Sequence, residues 1–549
     1  MLQNCYNAVR HEICVVGTET SGREPFRMEK RTSLLRHLTA AAAALLAVAL
    51  LSGSSLRAKA AESAGVKTAL IQGGNVVVAT QGSASSSDGL YHLYAQEVYQ
   101  SGTQGTEIAQ APAAAGAAFA FPLNKNTADS NLFRKFQLVV LQNGVPTAVG
   151  NAKFITNPES AATHTAKRHD AGKKGLLPAA ALLHGNQLNA LGIRQITYNL
   201  PIGNLCNGSG VSYTYNGKTY HFSQAICGQY DFLVPQMNKQ GIQVSLIILN
   251  NLTADPTLIH PLSRDFAGAN YYAFNTAEPA AVEKLEAIAS FLGSRYSGAH
   301  GTVDNWIIGN EVNARQEWNY MTPGAGMTVA ACEYEKALRI FYNGIRSENA
   351  NARIYTSIDY EWNGSDNVAA HYAGRPFLDA ILTFGVMGGN YDWNLAIHPY
   401  NAPLTDPIAW VQKYAPRTAD ARFDTMYNIN VVTDYLCTPL YKNTKGQVRY
   451  IKCSEQGYTS TGGEQLQAAS VIYAYRQAMA NRYIDGFILA RELDDAGEIA
   501  QGLATGLLNV DLTPKMAYTW YANADSANVA AAASAIIGVP DLNSLLVKR

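Results

Sequence analysis

The chain has 549 residues, 47% of them hydrophobic and 15% charged, and its 42 lysines and arginines balance 42 aspartates and glutamates. This composition excludes a disordered chain and supplies enough apolar material for roughly two or three packed domains. With a formal net charge of +0 there is no overall field to recruit nucleic acid or anionic lipid.

The N-terminal residues 1–61 read as an extension followed by an export signal. Met28 opens a basic stretch with Lys30, Arg31 and Arg36, an apolar run spans Thr39 to Leu51, and Ala58, Ala60 and Ala61 offer small-residue cleavage positions. The apolar run is short for a bilayer core of roughly 30 Å, so a secreted or cell-surface protein, free of the membrane after cleavage and starting near Met28, is expected. Beyond the signal lie Cys206, Cys227, Cys332, Cys437 and Cys453. Cys206 with Cys227 and Cys437 with Cys453 are the pairs to test as bridges, with free buried thiols as the alternative.

Residues 66–160 alternate in short runs such as NVVVATQG and FRKFQLVVLQNG, punctuated by glycine and asparagine. Period-two segments at that spacing predict a small all-β, sandwich-like domain, either a carbohydrate-binding module or a packing partner for the next domain. A polar linker, ESAATHTAKRHDAGKKG, separates it from residues 170–525. There KKGLLPA, IRQITYNLPI, IQVSLIILNN, DNWIIGNEVN, ARIYTSIDYEWN, YDWNLAIHPYN, QVRYIKCSEQG and YIDGFILARELD alternate with helical patterns. Such alternation predicts α/β architecture, and eight strands predict a closed (β/α)8 TIM barrel; an open doubly wound sheet would want a glycine-rich phosphate loop that is absent here. Residues 526–549 read as an alanine-rich tail.

A barrel carries its chemistry at the carboxyl ends of its strands. Glu311 ends the fourth strand and Glu455 the seventh, across the mouth from each other, so both can face one substrate bond. A pair of carboxyls roughly 5 to 5.5 Å apart suits glycoside cleavage with retention. Asn199, Asn250, Asn251, Arg491, Asp494 and Asp495 are further polar groups at strand ends, and Asp359 and Trp362 end the fifth strand, where the indole is either a sugar-subsite floor or plain packing. Glu361 competes as a carboxylate, from a strand that does not serve this mechanism.

WIIGNEVN and YIKCSEQG resemble the two active-site motifs of the retaining glycoside hydrolase superfamily with its acid/base on strand four and its nucleophile on strand seven. The resemblance covers roughly residues 170–525 and implies Glu311 as acid/base and Glu455 as nucleophile. It implies that Asn310 binds the sugar 2-hydroxyl, that Tyr400 of the HPY sequence hydrogen-bonds the nucleophile, and that His398 supports it. Two departures mark a divergent branch: Asn199 stands where many members carry an arginine, and Arg491 stands near the place of a strand-eight tryptophan. An Arg-x-x-Asp sequence, Arg491 to Asp494, is similar to that of an uncharacterised domain family. The expected partner is an oligo- or polysaccharide, with no metal or organic cofactor and no nucleic acid. The alternatives are a non-catalytic carbohydrate-binding barrel and a metal-dependent barrel hydrolase, the latter wanting strand-end histidines of which only His398 obliges. Ionised Glu455 is expected to raise the pKa of Glu311.

Overall fold

A computed structural model describes residues 63–169, 172–183 and 185–549. The export signal lies outside the described residues. Among the described residues, no helix is long and apolar enough to cross a membrane.

Eight parallel strands close into a barrel: Lys174–Leu176, Gln195–Pro201, Gln243–Leu249, Asn305–Ile308, Arg353–Ile358, Trp393–Ile397, Ile451–Gln456 and Ile484–Leu489. The expected α/β barrel is therefore present, with each strand hydrogen-bonded to the next and the eighth to the first. Sequences such as QVSLIIL and WNLAI are buried along their whole length. One set of their side chains fills the barrel and the other packs on the helices, which is why they read as unbroken apolar runs. The outer wall includes Gln224–Lys239, Pro279–Arg295, Gly326–Arg346, Gly374–Met387 and Glu464–Met479.

The foot of the barrel is polar. Lys452 reaches Gln195 at 2.7 Å and Asp485 at 3.2 Å, and Arg353 pairs with Asp485 at 2.6 Å. The linker ends here: Arg168 donates to Asn305 at 2.6 Å, and His169 meets Asp304 at 2.9 Å. Buried charges persist only when paired and hydrogen-bonded, and Lys452 and Arg353 are both paired here with Asp485.

The N-terminal domain has two antiparallel sheets. Gly65–Gln72, Asn75–Gln81 and Ala118–Pro122 form one, and Thr106–Pro112, Leu90–Gln96, Lys135–Gln142 and Val145–Phe154 form the other. This matches the sandwich-like expectation. The domain rests on the barrel wall behind strands four and five: Lys153 donates to the carbonyl of Met387 at 2.8 Å, Asn343 donates to that of Leu132 at 3.1 Å, and Arg339 lies over the Phe154 ring at 5.1 Å. At the other end of the chain, Ala527–Ile537 is a helix on which Ala533 is buried, and Leu542 beyond it is buried as well.

All five cysteines in the described residues are free thiols, which corrects the bridges considered between Cys206 and Cys227 and between Cys437 and Cys453. Cys453 is buried in a barrel strand, whereas Cys437 caps a helix. Burial pushes the Cys206 thiol up to about 12 and the Cys227 thiol up to about 11, so both stay protonated at neutral pH.

Candidate active site

Strand four ends at Ile308, and the chain turns sharply at once. Gly309 has φ +76° and Glu311 has φ +40°. A side-chain-bearing residue in the left-handed region costs about 1–3 kcal/mol and persists only where its surroundings hold it. Here strand five holds it: the Glu311 amide donates to Ser357 Oγ at 3.2 Å, and the Val312 amide to the Ser357 carbonyl at 3.0 Å. Glu311 is thus fixed by two neighbouring strands, with its side chain 17% exposed.

The end of strand six supplies a partner to each glutamate. His398 Nδ1 lies 2.7 Å from Glu311 Oε1, and the Tyr400 hydroxyl donates to Glu455 Oε1 at 2.8 Å. Behind Glu455, a Cβ on Gly457 would lie 2.1 Å from the Ala490 carbonyl oxygen, so only glycine lets strand seven approach strand eight this closely. Asn310, directly before Glu311, is half-buried.

Burial raises the Glu311 carboxyl above its ordinary value. His398 opposes this, and the negative charges of Asp359 and Glu455 add to it. The expected effect of Glu455 is present, but burial leads it. Burial lowers His398 and the Glu455 and Glu311 charges raise it, with a net upward shift. Tyr400 is driven well above the usual phenol range by burial and by Glu455, so its hydroxyl keeps its proton and remains a donor.

Other expected site residues have different fates. Asn199 is exposed at the top of strand two. Arg491 pairs with Glu498 at 2.6 Å. Asp494 is not presented to a ligand: Lys515 holds one of its oxygens at 2.7 Å and the Gly506 amide holds the other at 2.7 Å, all within the protein. Trp362 is fully buried and edge-on to Tyr435 at 5.5 Å, so it packs and offers no open face to a sugar. Asn250 donates to the Leu258 and Ala273 carbonyls, Asn251 is tied to Gly203 and Asn204, and Asp495 caps the turn Ala496–Ile499. These three order loops.

Two features escaped sequence reasoning. Glu498, on that turn, is held above the ordinary carboxylate value by burial, with Arg491 opposing and Glu455 contributing, which places a third carboxylate in the field of Glu455. In the loop after strand five, His371 gathers Asp359, Glu361 and Glu317 around its ring. Burial opposes protonation there, but Asp359 and Glu361 overcome it and push His371 up to about 10.

Residues 166–545 match a family described as a family of unknown function, DUF5722. The chain belongs to that family. No curated protein matches this DUF5722 member. Solved structures similar to it include a family 39 glycoside hydrolase from the gut symbiont Bacteroides cellulosilyticus WH2, at 15% identity and TM-score 0.44 over 85% of this chain and 80% of that one. The β-glycosidase of the hyperthermophile Thermosphaera aggregans is similar at 13% identity and TM-score 0.43, over 67% of this chain and 88% of that one. The exo-β-1,4-mannosidase Op5Man5 from Opitutaceae bacterium strain TAV5 is similar at 12% identity and TM-score 0.41, over 68% of this chain and 62% of that one. These are distant likenesses of the DUF5722 chain.

Proposed function

We propose that this protein is an exported retaining glycoside hydrolase that cleaves a β-linked sugar by double displacement. The observation that carries this reading is the pair of contacts from strand six, His398 to Glu311 and Tyr400 to Glu455, which ties two carboxyls from opposite sides of the barrel to one strand end. Glu311, whose pKa burial raises, gives its proton to the glycosidic oxygen as the bond to the anomeric carbon breaks. Glu455, oriented by Tyr400, attacks that carbon and forms a glycosyl ester.

Loss of the Glu455 charge on ester formation removes one cause of the raised Glu311 pKa, and Glu311 then takes a proton from the water that releases the sugar. Asn310, which precedes Glu311 in the chain, binds a hydroxyl of the bound ring in this reading. The two steps need only these side chains and water.

The test is a panel of nitrophenyl β-glycosides and β-linked oligosaccharides, with the product anomer followed by proton NMR. Turnover with retention, lost in Glu455→Gln and restored in part by azide in Glu455→Gly, supports the reading. Full activity in Glu455→Gln overturns it, as does an inverted product. Glycan binding with no hydrolysis by any variant would assign the barrel to carbohydrate binding instead.

A further inference from the structure

The loop that follows strand five gathers three donor atoms around one point. His371 Nδ1 lies 2.9 Å from Glu361 Oε2 and 3.5 Å from Asp359 Oδ2, and all three atoms lie within 4.8 Å of one another. In a tetrahedral zinc site, with bonds of about 2.0–2.1 Å, neighbouring donor atoms stand about 3.3 Å apart, a spacing that the two contacts of His371 Nδ1 bracket.

The outer atoms are already engaged. Asp359 Oδ1 accepts from Asn313 Nδ2 at 2.7 Å and from the Glu361 amide at 2.8 Å. Glu361 Oε1 accepts from the Asp366 amide at 2.9 Å. Each carboxylate therefore has one oxygen fixed by N–H donors and the other turned inward. The second ring nitrogen of His371, Nε2, meets Glu317 Oε2 at 3.1 Å, which is the carboxylate–histidine arrangement that orients metal-binding imidazoles.

A separate observation points to a missing ligand. Asp359 is only 2% exposed, yet its Oδ2 accepts no hydrogen bond among the described residues and faces His371 Nδ1 from 3.5 Å. Its cationic neighbour is that imidazole, at the long end of an ion pair, and a cation at the centre of the three atoms would hold this buried oxygen more closely.

We propose that Asp359 Oδ2, Glu361 Oε2 and His371 Nδ1 bind a zinc-like divalent cation, which displaces the Nδ1 proton to solvent, with water in the open position. The imidazole donor selects a transition metal over calcium or magnesium, which prefer all-oxygen sites. The ion ties the loop after strand five to strand four, because Asn313 and Asp359 exchange two hydrogen bonds, at 2.7 and 3.0 Å, two residues beyond Glu311. Its role is to brace the rim, and the site stands whether or not the barrel hydrolyses glycosides.

The test uses the untagged full chain, stripped with a chelator, dialysed, and titrated calorimetrically with zinc alone and with calcium alone, with metal content measured by mass spectrometry. Zinc should bind at one ion per chain and raise the unfolding temperature. Glu317→Gln, a change in a side chain 40% exposed, should keep the fold and weaken zinc binding by about 10–100-fold. His371→Gln should abolish it. Absence of saturable zinc binding overturns the proposal, as does unchanged affinity in Glu317→Gln or tighter binding of calcium than of zinc. Should His371→Gln fail to fold, Glu317→Gln alone decides.

Discussion

His398 Nδ1 stands 2.7 Å from Glu311 Oε1, although 87 positions separate the two residues in the chain. The contact lowers the Glu311 pKa against the upward pull of burial. In the proposed mechanism kcat/KM requires protonated Glu311, so activity is lost as pH rises through its pKa, and the raised value places that basic limb above the usual glutamate value of about 4.3. Replacing His398 by glutamine removes the opposing charge and should move the limb to higher pH. In Glu311→Gln, assayed on a dinitrophenyl glycoside that needs no acid, the limb should vanish. A basic limb unmoved in both variants would exclude Glu311 as the group that titrates.

Tyr400 holds the other carboxylate. Its hydroxyl hydrogen bond to Glu455 is of the charge-assisted kind, worth about 1.5–3 kcal/mol. Tyr400→Phe should therefore lower kcat by about 10- to 100-fold while the fold is kept. A fall confined to KM would assign Tyr400 to substrate binding instead. The measurement is steady-state kinetics beside the circular dichroism of the variant.

The sequence made the barrel legible because parallel strands buried on both faces leave unbroken apolar runs such as QVSLIIL, and it made Glu311 and Glu455 legible because each stands at the end of such a strand. What happens to a strand-end polar group was not legible, since that depends on partners far along the chain. Asp494 looked available until Lys515, supplied by the last loop, closed on it. His371 belongs to no strand, and only the folding back of its loop sets it against Asp359. Trp362 has the same explanation, because Tyr435 covers its ring from a different segment.

Asp494 and Lys515 are both buried, with Lys515 also donating to Ser460 and to the Ala504 carbonyl. Removing one member of such a pair leaves a charge uncompensated in the interior. Asp494→Ala should cost about 3–5 kcal/mol, read as a lower midpoint in urea unfolding. A change below about 1 kcal/mol would mean that Lys515 finds water there.

Glu286 gives a pH signature to stability. Burial and then the Glu97 charge push it up to about 8, while the Tyr215 hydroxyl bonds to it at 2.9 Å. The unfolded chain releases this proton near pH 4.3 and the folded chain keeps it to about 8, so folding binds a proton between those values. The contribution is fully present below about pH 4.3 and is lost as pH rises toward 8. Thermal unfolding at pH 5 and pH 8 should show a fall that is smaller in Glu286→Gln. Identical pH slopes in the two proteins would contradict a neutral Glu286.

The polar network at the foot of the barrel has a consequence for how the chain can be cut. Arg168 and His169 belong to the linker, yet they occupy the bottom of the β-cylinder and satisfy Asn305 and Asp304 there. A protein begun after them would expose that floor to water and leave two buried groups without donors, although every barrel strand would still be present. The N-terminal segment thus acts as the stopper of the vessel whose mouth holds Glu311 and Glu455. Grafting this barrel onto another partner would require the graft to carry its own Arg-His plug.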